Sequence, residues 1–223
     1  MPVTFDLQED IGIVQLDDGG KNVINHDVLD ELESCWEEAK SKAAAVVIAG
    51  RPGSFCAGYD IKVMTGDDPQ ASVRLGQRGG KLALDIFGAK LPVVGVSPGH
   101  AFTIGAVWLA CCDYRIGELG NFKYSMTEVA LGVPLSDWPM EPLKSKLNPQ
   151  HITKALLHSE IYAPLQALEA GFVDEVVDSG AGLETGLAKA QKLAALPAHA
   201  YGLTKQRLRK QALQVMQREL EAP

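Results

Sequence analysis

Residues Pro92–Asp113, PVVGVSPGHAFTIGAVWLACCD, decide how this chain folds. Pro92 to Ser97 is an apolar, β-branched run that reads as a buried strand, and Ser97-Pro98-Gly99 ends it. After a short loop of small residues, Thr103 to Cys112 reads as a helix without a charge. A strand that meets a helix this way leaves unpaired backbone N–H groups at the helix start, where they can hold a negative oxygen. No Asp, Glu, Lys or Arg lies between Lys90 and Asp113. The backbone therefore supplies the polarising groups, and any acid or base comes from elsewhere.

Working outward, Val3–Gln8 and Ile11–Leu16 read as two strands of a hairpin turning at Glu9-Asp10. Asn25 is a good N-cap for a helix over 26–42, with Leu29, Leu32, Trp36 and Ala39 on its buried face. Ala44–Ala49, AAVVIA, predicts a strand buried on both faces, and 50–60 reads as a loop. A helix over 70–87 follows, weakened near Gly76 and Gly79-Gly80, and Tyr114–Gly117 is a further strand. Pro164 opens a short helix that Gly171 closes, and 172–177 is a strand. Helices over 183–196 and 198–221 are separated by Pro197. Strands alternating with helices imply an α/β fold with a parallel sheet and right-handed crossovers. The units around Gly50 and Gly99 both bring a small-residue turn to the C-terminal end of a strand, the edge where open α/β sheets bind ligands.

The chain has 223 residues, 46% of them hydrophobic and 22% charged, as in an ordinary globular protein. A net charge of −7 argues against a general nucleic-acid binder and against docking on an anionic membrane. No apolar run reaches the length of a membrane span. Cys35, Cys56, Cys111 and Cys112 lack metal spacing and read as reduced thiols. With MPVTFDLQEDIG carrying no secretory pattern, the expected location is cytoplasmic.

Three motifs carry more. VVIAGRPGSFCAGYDIK (Val46–Lys62), the opening segment and KYSMTEVALGVP (Lys123–Pro134) occur in that order, followed by Ala167-Leu168-Glu169-Ala170-Gly171-Phe172-Val173. Together they resemble the crotonase (enoyl-CoA hydratase/isomerase) superfamily over most of the chain. The resemblance implies a crotonase-like ββα spiral over 1–180, with a C-terminal helical oligomerisation segment over 181–223. It also implies an acyl-CoA thioester as substrate, with no separate cofactor and no metal, and assembly as a homotrimer or hexamer. Family members usually continue beyond the point where this chain ends, which leaves CoA affinity and assembly open. The helix from Ala198, with Leu203, Leu208 and Leu213, suits docking on a partner.

By position, the resemblance makes the backbone N–H groups of Tyr59 and Ile104 an oxyanion hole for the thioester carbonyl. Losing one such donor typically costs about 3–4 kcal/mol. Thr103-Ile104 stands where the family usually has glycines, and Val107 stands where hydratases carry a water-handling glutamate. The second family glutamate aligns with Glu128. Its apolar neighbours Val129, Ala130 and Leu131 predict a raised pKa suited to taking a proton from carbon. One carboxylate suffices to move a proton from the α- to the γ-carbon of a 3-enoyl thioester, whereas hydration must also bring in water. Cys112 to Val177 looks like the mitochondrial-type Δ3,Δ2-enoyl-CoA isomerases, which combine Cys-Asp-Tyr-Arg, one Glu before Leu-Gly, and a Trp at the place of Trp138.

Backbone carbonyls near Cys56 and Ala57 match those that hold the adenine amine. Lys62 and Arg51 are either CoA-phosphate ligands or solvated charges. His100 either reaches the pocket or bonds to backbone, and Asp137 is either an added acid or base or a cap near Ser136. Asp113 and Arg115 read as structural contacts below the site, and Cys56 as a small buried side chain. Tyr59, Trp108 and Trp138 either shape an acyl pocket or fill the core. Two alternatives stand beside the isomerase: a hydratase or thioester hydrolase using water held by His100 or Asp137, and a catalytically weak acyl-CoA-binding protein.

Overall fold

The structure is a computed structural model in which residues 1–221 are described. Strands β1 (Val3–Gln8) and β2 (Ile11–Leu16) form the expected antiparallel hairpin. A two-residue strand β3 (Val23–Ile24) leads to helix α1 (His26–Lys42). Asn25 caps α1, its Oδ1 accepting from the Val28 N–H at 2.9 Å, and Leu29, Leu32, Trp36 and Ala39 are buried as the spacing predicts.

The chain then repeats one unit three times. Strand β4 (Ala45–Ala49) enters a main sheet, β5 (Gly53–Cys56) enters a second sheet, and after β6 (Gly58–Tyr59) and the short helix α2 (Ile61–Met64) comes α3 (Pro69–Gly88). Next come β7 (Val93–Ser97), β8 (Gly99–Phe102) and α4 (Ile104–Cys111), then β9 (Tyr114–Glu118), β10 (Tyr124–Ser125) and α5 (Asp137–Lys146). Helices α6 (Pro149–Leu156) and α7 (Pro164–Ala170) lead to β11 (Glu175–Val177), and α8 (Gly182–Ala194), α9 (Ala198–Leu208) and α10 (Lys210–Leu220) complete the described chain. The main sheet runs β1-β2-β4-β7-β9-β11, parallel from β2 onward, and the second runs β10-β8-β5. This is the ββα spiral expected from the motifs.

All five residues of β4 and of β7 are buried, as a strand covered on both faces requires. One face meets α1, α3 and α4; on the other, α8 brings Ala190 against Val47, Val94 and Ile116. All eight residues of α4 are buried, which explains its lack of charge.

Four expectations need correction. The loop foreseen over 50–60 contains β5 and β6, because β5 finds its partner in β8 rather than in its own periodicity. The glycines of α3 do not interrupt it: Gly79 packs closely on the Tyr59 ring and Gly80 on Trp138 and Leu220, while Gly76 has open space beside it. The strand foreseen over 172–177 starts at Glu175, since the Phe172 N–H is used to close α7 on the Ala167 carbonyl. The helix foreseen over 198–221 is broken at Arg209, whose buried guanidinium donates inward to the carbonyls of Phe87 and Cys111.

Candidate active site

Two turns meet at the C-terminal edge of the main sheet. The first carries Cys56-Ala57-Gly58-Tyr59 between β5 and α2; the second carries Phe102-Thr103-Ile104 between β8 and α4. They interlock through glycines. A Cβ on Gly58 would lie 2.4 Å from Thr103 Oγ1, and one on Gly105 would lie 2.6 Å from the Cβ of Cys56. Gly58 also adopts φ +106°, open to glycine at little cost. Thr103 holds φ +49° and ψ −120° with a β-branched side chain, a strained geometry that over-determined sites retain. That turn aims the chain so that Ile104 begins α4. The first intrahelical bond there is Val107 N–H to Thr103 C=O, which leaves the Ile104 N–H free of a helical acceptor.

Glu128 is delivered to the same place by β10. The Thr103 N–H donates to the Ser125 carbonyl at 3.1 Å, and Glu128 follows three residues later at the head of a 3-10 turn, Val129–Leu131. That turn is pinned by Ser159, whose Oγ accepts from the Ala130 N–H at 3.2 Å. Glu128 is half-buried, and its Oε2 is buried without a hydrogen-bond partner among the described residues. Burial raises its pKa above the ordinary carboxylate value, with a smaller opposing effect from its own backbone N–H. The Tyr59 hydroxyl is likewise buried and unpartnered, facing Gly79 of α3. Burial pushes the phenol up, and the nearby Cys56 and Glu128 push in the same direction. Val107 lies one turn into α4 and is 1% exposed, so an apolar side chain occupies that position.

The other candidates are distributed differently. Ala57 and His100 line a cleft of about 480 Å³ together with Arg51, Phe102 and two residues that sequence reasoning missed, Lys21 and Lys123. His100 Nδ1 accepts from the Lys123 N–H at 3.1 Å, the backbone role foreseen as one option, and its ring stacks on Phe102. Burial, then Lys123 and Lys21, lower its pKa. Arg51 is held by Asp17 at 2.8 Å and by the Gly20 carbonyl. Lys62 is exposed on α2, outside this cleft. The signal for Lys21 lay in the Gly19-Gly20-Lys21 turn, whose last carbonyl accepts from Ser54 Oγ at 2.6 Å; Lys123 has no comparable local signal.

Asp137 is exposed and does not cap α5: it is the first helical residue, and the N-cap Ser136 makes no side-chain cap bond. Trp138 is half-buried, with its N–H on Glu219 at 2.6 Å and its ring against Gly80. Trp108 is a core residue, its Nε1 donating to the Gly79 carbonyl at 3.1 Å. Cys56 is wholly buried and its thiol is pushed up to about 12 by burial, as is that of Cys112. Cys111 moves the same way, so titration of native protein at pH 8 should find essentially none of these three thiols, and denaturant should expose all four cysteines. A fast-reacting native thiol at any of the three would contradict this burial. Among the described residues no cluster of His, Cys, Asp or Glu is suited to a metal ion, and no helix is long and apolar enough to cross a membrane.

The architecture has close counterparts. An enoyl-CoA hydratase, EchA3, from Mycobacterium ulcerans matches with TM-score 0.95 at 29% identity, over 99% of this chain and 97% of that one. Human mitochondrial delta3-delta2-enoyl-CoA isomerase matches with TM-score 0.91 at 26% identity, over 98% and 88%. In sequence, the human mitochondrial enoyl-CoA delta isomerase 1 is 29% identical over 175 residues, 78% of this chain but only 58% of that protein. The mouse enzyme of the same name is 27% identical, over 83% of this chain and 65% of its own length. The family model described as enoyl-CoA hydratase/isomerase matches residues 6–223, and with the ββα spiral already on the page the chain belongs to that family.

Proposed function

We propose that the protein is an enoyl-CoA isomerase that shifts a double bond through a thioester enolate. The thioester oxygen rests on the backbone N–H groups of Tyr59 and Ile104. Glu128 takes a proton from C2 of a 3-enoyl-CoA; the C–H pair moves into the C1–C2 bond and the negative charge collects on the thioester oxygen. The same carboxyl group then returns the proton at C4 as the double bond settles between C2 and C3. No water enters and nothing is oxidised. Two preorganised donors stabilise such an oxyanion at little reorganisation cost.

The observation that carries this reading is the Glu128 carboxylate, with a buried unpartnered oxygen and a raised pKa, together with a buried Val107 at the position where a second carboxylate would be needed to hold water. The human and mouse relatives named as delta isomerases support the same direction. Ala57, Lys21, Lys123 and His100 line the cleft where the anionic CoA portion would lie, while Cys56 is buried beside it and Lys62 is exposed on α2 outside it. Trp138 would close the acyl end, and Asp137 stays in solvent. A trimer built on α9 and α10 would suit the exposed Leu203 and Leu208.

The test is product analysis on matched 3-enoyl- and 2-enoyl-CoA substrates. The expected result is 2-enoyl-CoA from the former and no 3-hydroxyacyl-CoA from the latter; rapid hydration would replace the isomerase with a hydratase, and tight binding without turnover would leave a binding protein. The pH dependence follows from the burial of Glu128. Its ionised form is the active one, so kcat/KM should fall as pH drops through a midpoint above about 4.3, the ordinary glutamate value. A midpoint at or below that value would detach the rate from Glu128.

A further inference from the structure

At the far end of α4 from Ile104, the N-terminal edge of the sheet holds a second polar centre. Asp113 there accepts from the Val93 N–H at 2.8 Å, from Lys205 Nζ at 2.7 Å and from an Arg209 terminal nitrogen at 2.8 Å. Lys205 and Arg209 are 6% and 7% exposed. Lys146, from the end of α5, reaches the Asp113 backbone carbonyl at 3.3 Å and has no carboxylate in ion-pair range among the described residues. Behind it, Arg115 is closed on Asp174 by paired bonds at 2.7 and 2.8 Å. The titratable groups facing one another here are thus Lys146, Arg115, Lys205 and Arg209 against Asp113 and Asp174, with the Tyr201 phenol beside Asp113 and the buried Cys111 and Cys112 thiols, their pKa raised by burial and so neutral, behind them. Four cations meet two carboxylates, so two positive charges lack a counter-charge in a poorly solvated place.

Asp113, Lys146, Tyr201, Lys205 and Arg209 of this cluster line a cavity of about 470 Å³ between α9 and the end of α4, together with Thr204 and an apolar wall that includes Leu196 and Leu208, while Arg115 and Asp174 lie behind it. Burying uncompensated charge is costly, and a cavity lined by cations lowers that cost when an anion enters. The excess is felt by the lysines: burial, then Arg115 and Arg209, bring Lys146 down to about 8, and Lys205 is lowered by burial although it touches Asp113. Lys146 uses one donor on a long bond and keeps others for a ligand.

We infer that this cavity is a binding site for a small doubly charged oxyanion of the phosphate type, held by Lys146, Lys205 and Arg209 at the sheet edge opposite the candidate active site. Because α9 and the start of α10 supply two of the three cations, occupancy fastens the C-terminal helices to the core. The inference is independent of the isomerase reading, since Glu128 and the Tyr59 and Ile104 turns lie at the other end of α4.

The test is thermal unfolding in inorganic phosphate, with chloride holding ionic strength constant. At pH 7.5, a tenfold excess over Kd should raise Tm by roughly 3–6 °C, and the rise should saturate. Lys146→Met should weaken phosphate binding at least tenfold while keeping or raising Tm without phosphate, because it removes a repelled charge. At pH 9.5, where Lys146 has lost its proton and phosphate remains doubly charged, the wild type should bind about as weakly as the variant. Broadening of the phosphorus resonance of phosphate by the wild type gives a readout that does not depend on unfolding. An equal Tm rise with chloride alone, an undiminished response in Lys146→Met, or affinity unchanged at pH 9.5 would each overturn the site.

Discussion

Glu128→Gln should lower isomerisation of a 3-enoyl-CoA by about 10³-fold, within the 10²–10⁴-fold range of a positioned general base. The amide has nearly the same shape, but it cannot accept the α-proton. Acyl-CoA affinity should stay close to that of the wild type, because the proposed oxyanion donors belong to the backbone of Tyr59 and Ile104 and the proposed CoA contacts lie in a separate cleft. Exchange of the α-proton into deuterated water should disappear with turnover, and undiminished exchange would remove Glu128 from the mechanism.

The same variant should be more stable than the wild type at pH 7. Glu128 has a raised pKa in the folded protein, so at intermediate pH the folded state binds more protons than the unfolded one. The penalty is absent below the unfolded value of about 4.3, grows as pH rises to the folded value, and is constant above it. A glutamine never incurs it. A stabilised, inactive protein is therefore the joint outcome, and a variant less stable than the wild type would show that Glu128 has a supporting role in the fold.

Gly99→Ala should be the most damaging small substitution in the second sheet. A Cβ at Gly99 would lie 1.9 Å from the Gly53 carbonyl carbon and 2.2 Å from the Ser54 nitrogen. Both are backbone atoms of β5, so no rotamer change relieves the overlap, and β5 and β8 must separate. The expected loss is about 3 kcal/mol, at the upper end for overpacking, or roughly 6–12 °C in Tm for a chain of this size. Gly76→Ala is the natural control. Nothing lies within 4 Å of its Cβ position in α3, and alanine improves helix propensity, so it should gain up to about 1 kcal/mol. Equal effects at the two positions would mean that the close approach of β5 and β8 is not what sets the cost.

The contrast between these two glycines also says what could be read in the sequence. Gly76 and Gly99 look alike as letters; only folding puts another strand against one of them. Runs such as Ala44–Ala49 and Pro92–Ser97 announced themselves because their burial on both faces needs apolar residues throughout. Asn25 announced α1 because capping is local chemistry. Strands β5, β6, β8 and β10 have two to four residues each, too few for periodicity, and exist through their distant partners. Motif order singled out Tyr59, Ile104 and Glu128 as candidates, and the fold brings the turns of the first two together with the strand that delivers the third. It did not place Lys21 and Lys123, which converge from separate loops, nor Arg209, whose inward turn divides a helix that reads as continuous.

The interlocked turns at Gly58–Tyr59 and Thr103–Ile104 have one further consequence for anyone scanning this protein residue by residue. Donors carried by the main chain survive almost every side-chain replacement, so alanine at either position would leave the N–H in place and report mainly on packing. The informative changes are those that delete the donor itself, an ester linkage or a proline, or that shift its aim through the glycine opposite. A survey limited to side-chain truncation would pass over the proposed oxyanion donors and could test only the proposed base, Glu128.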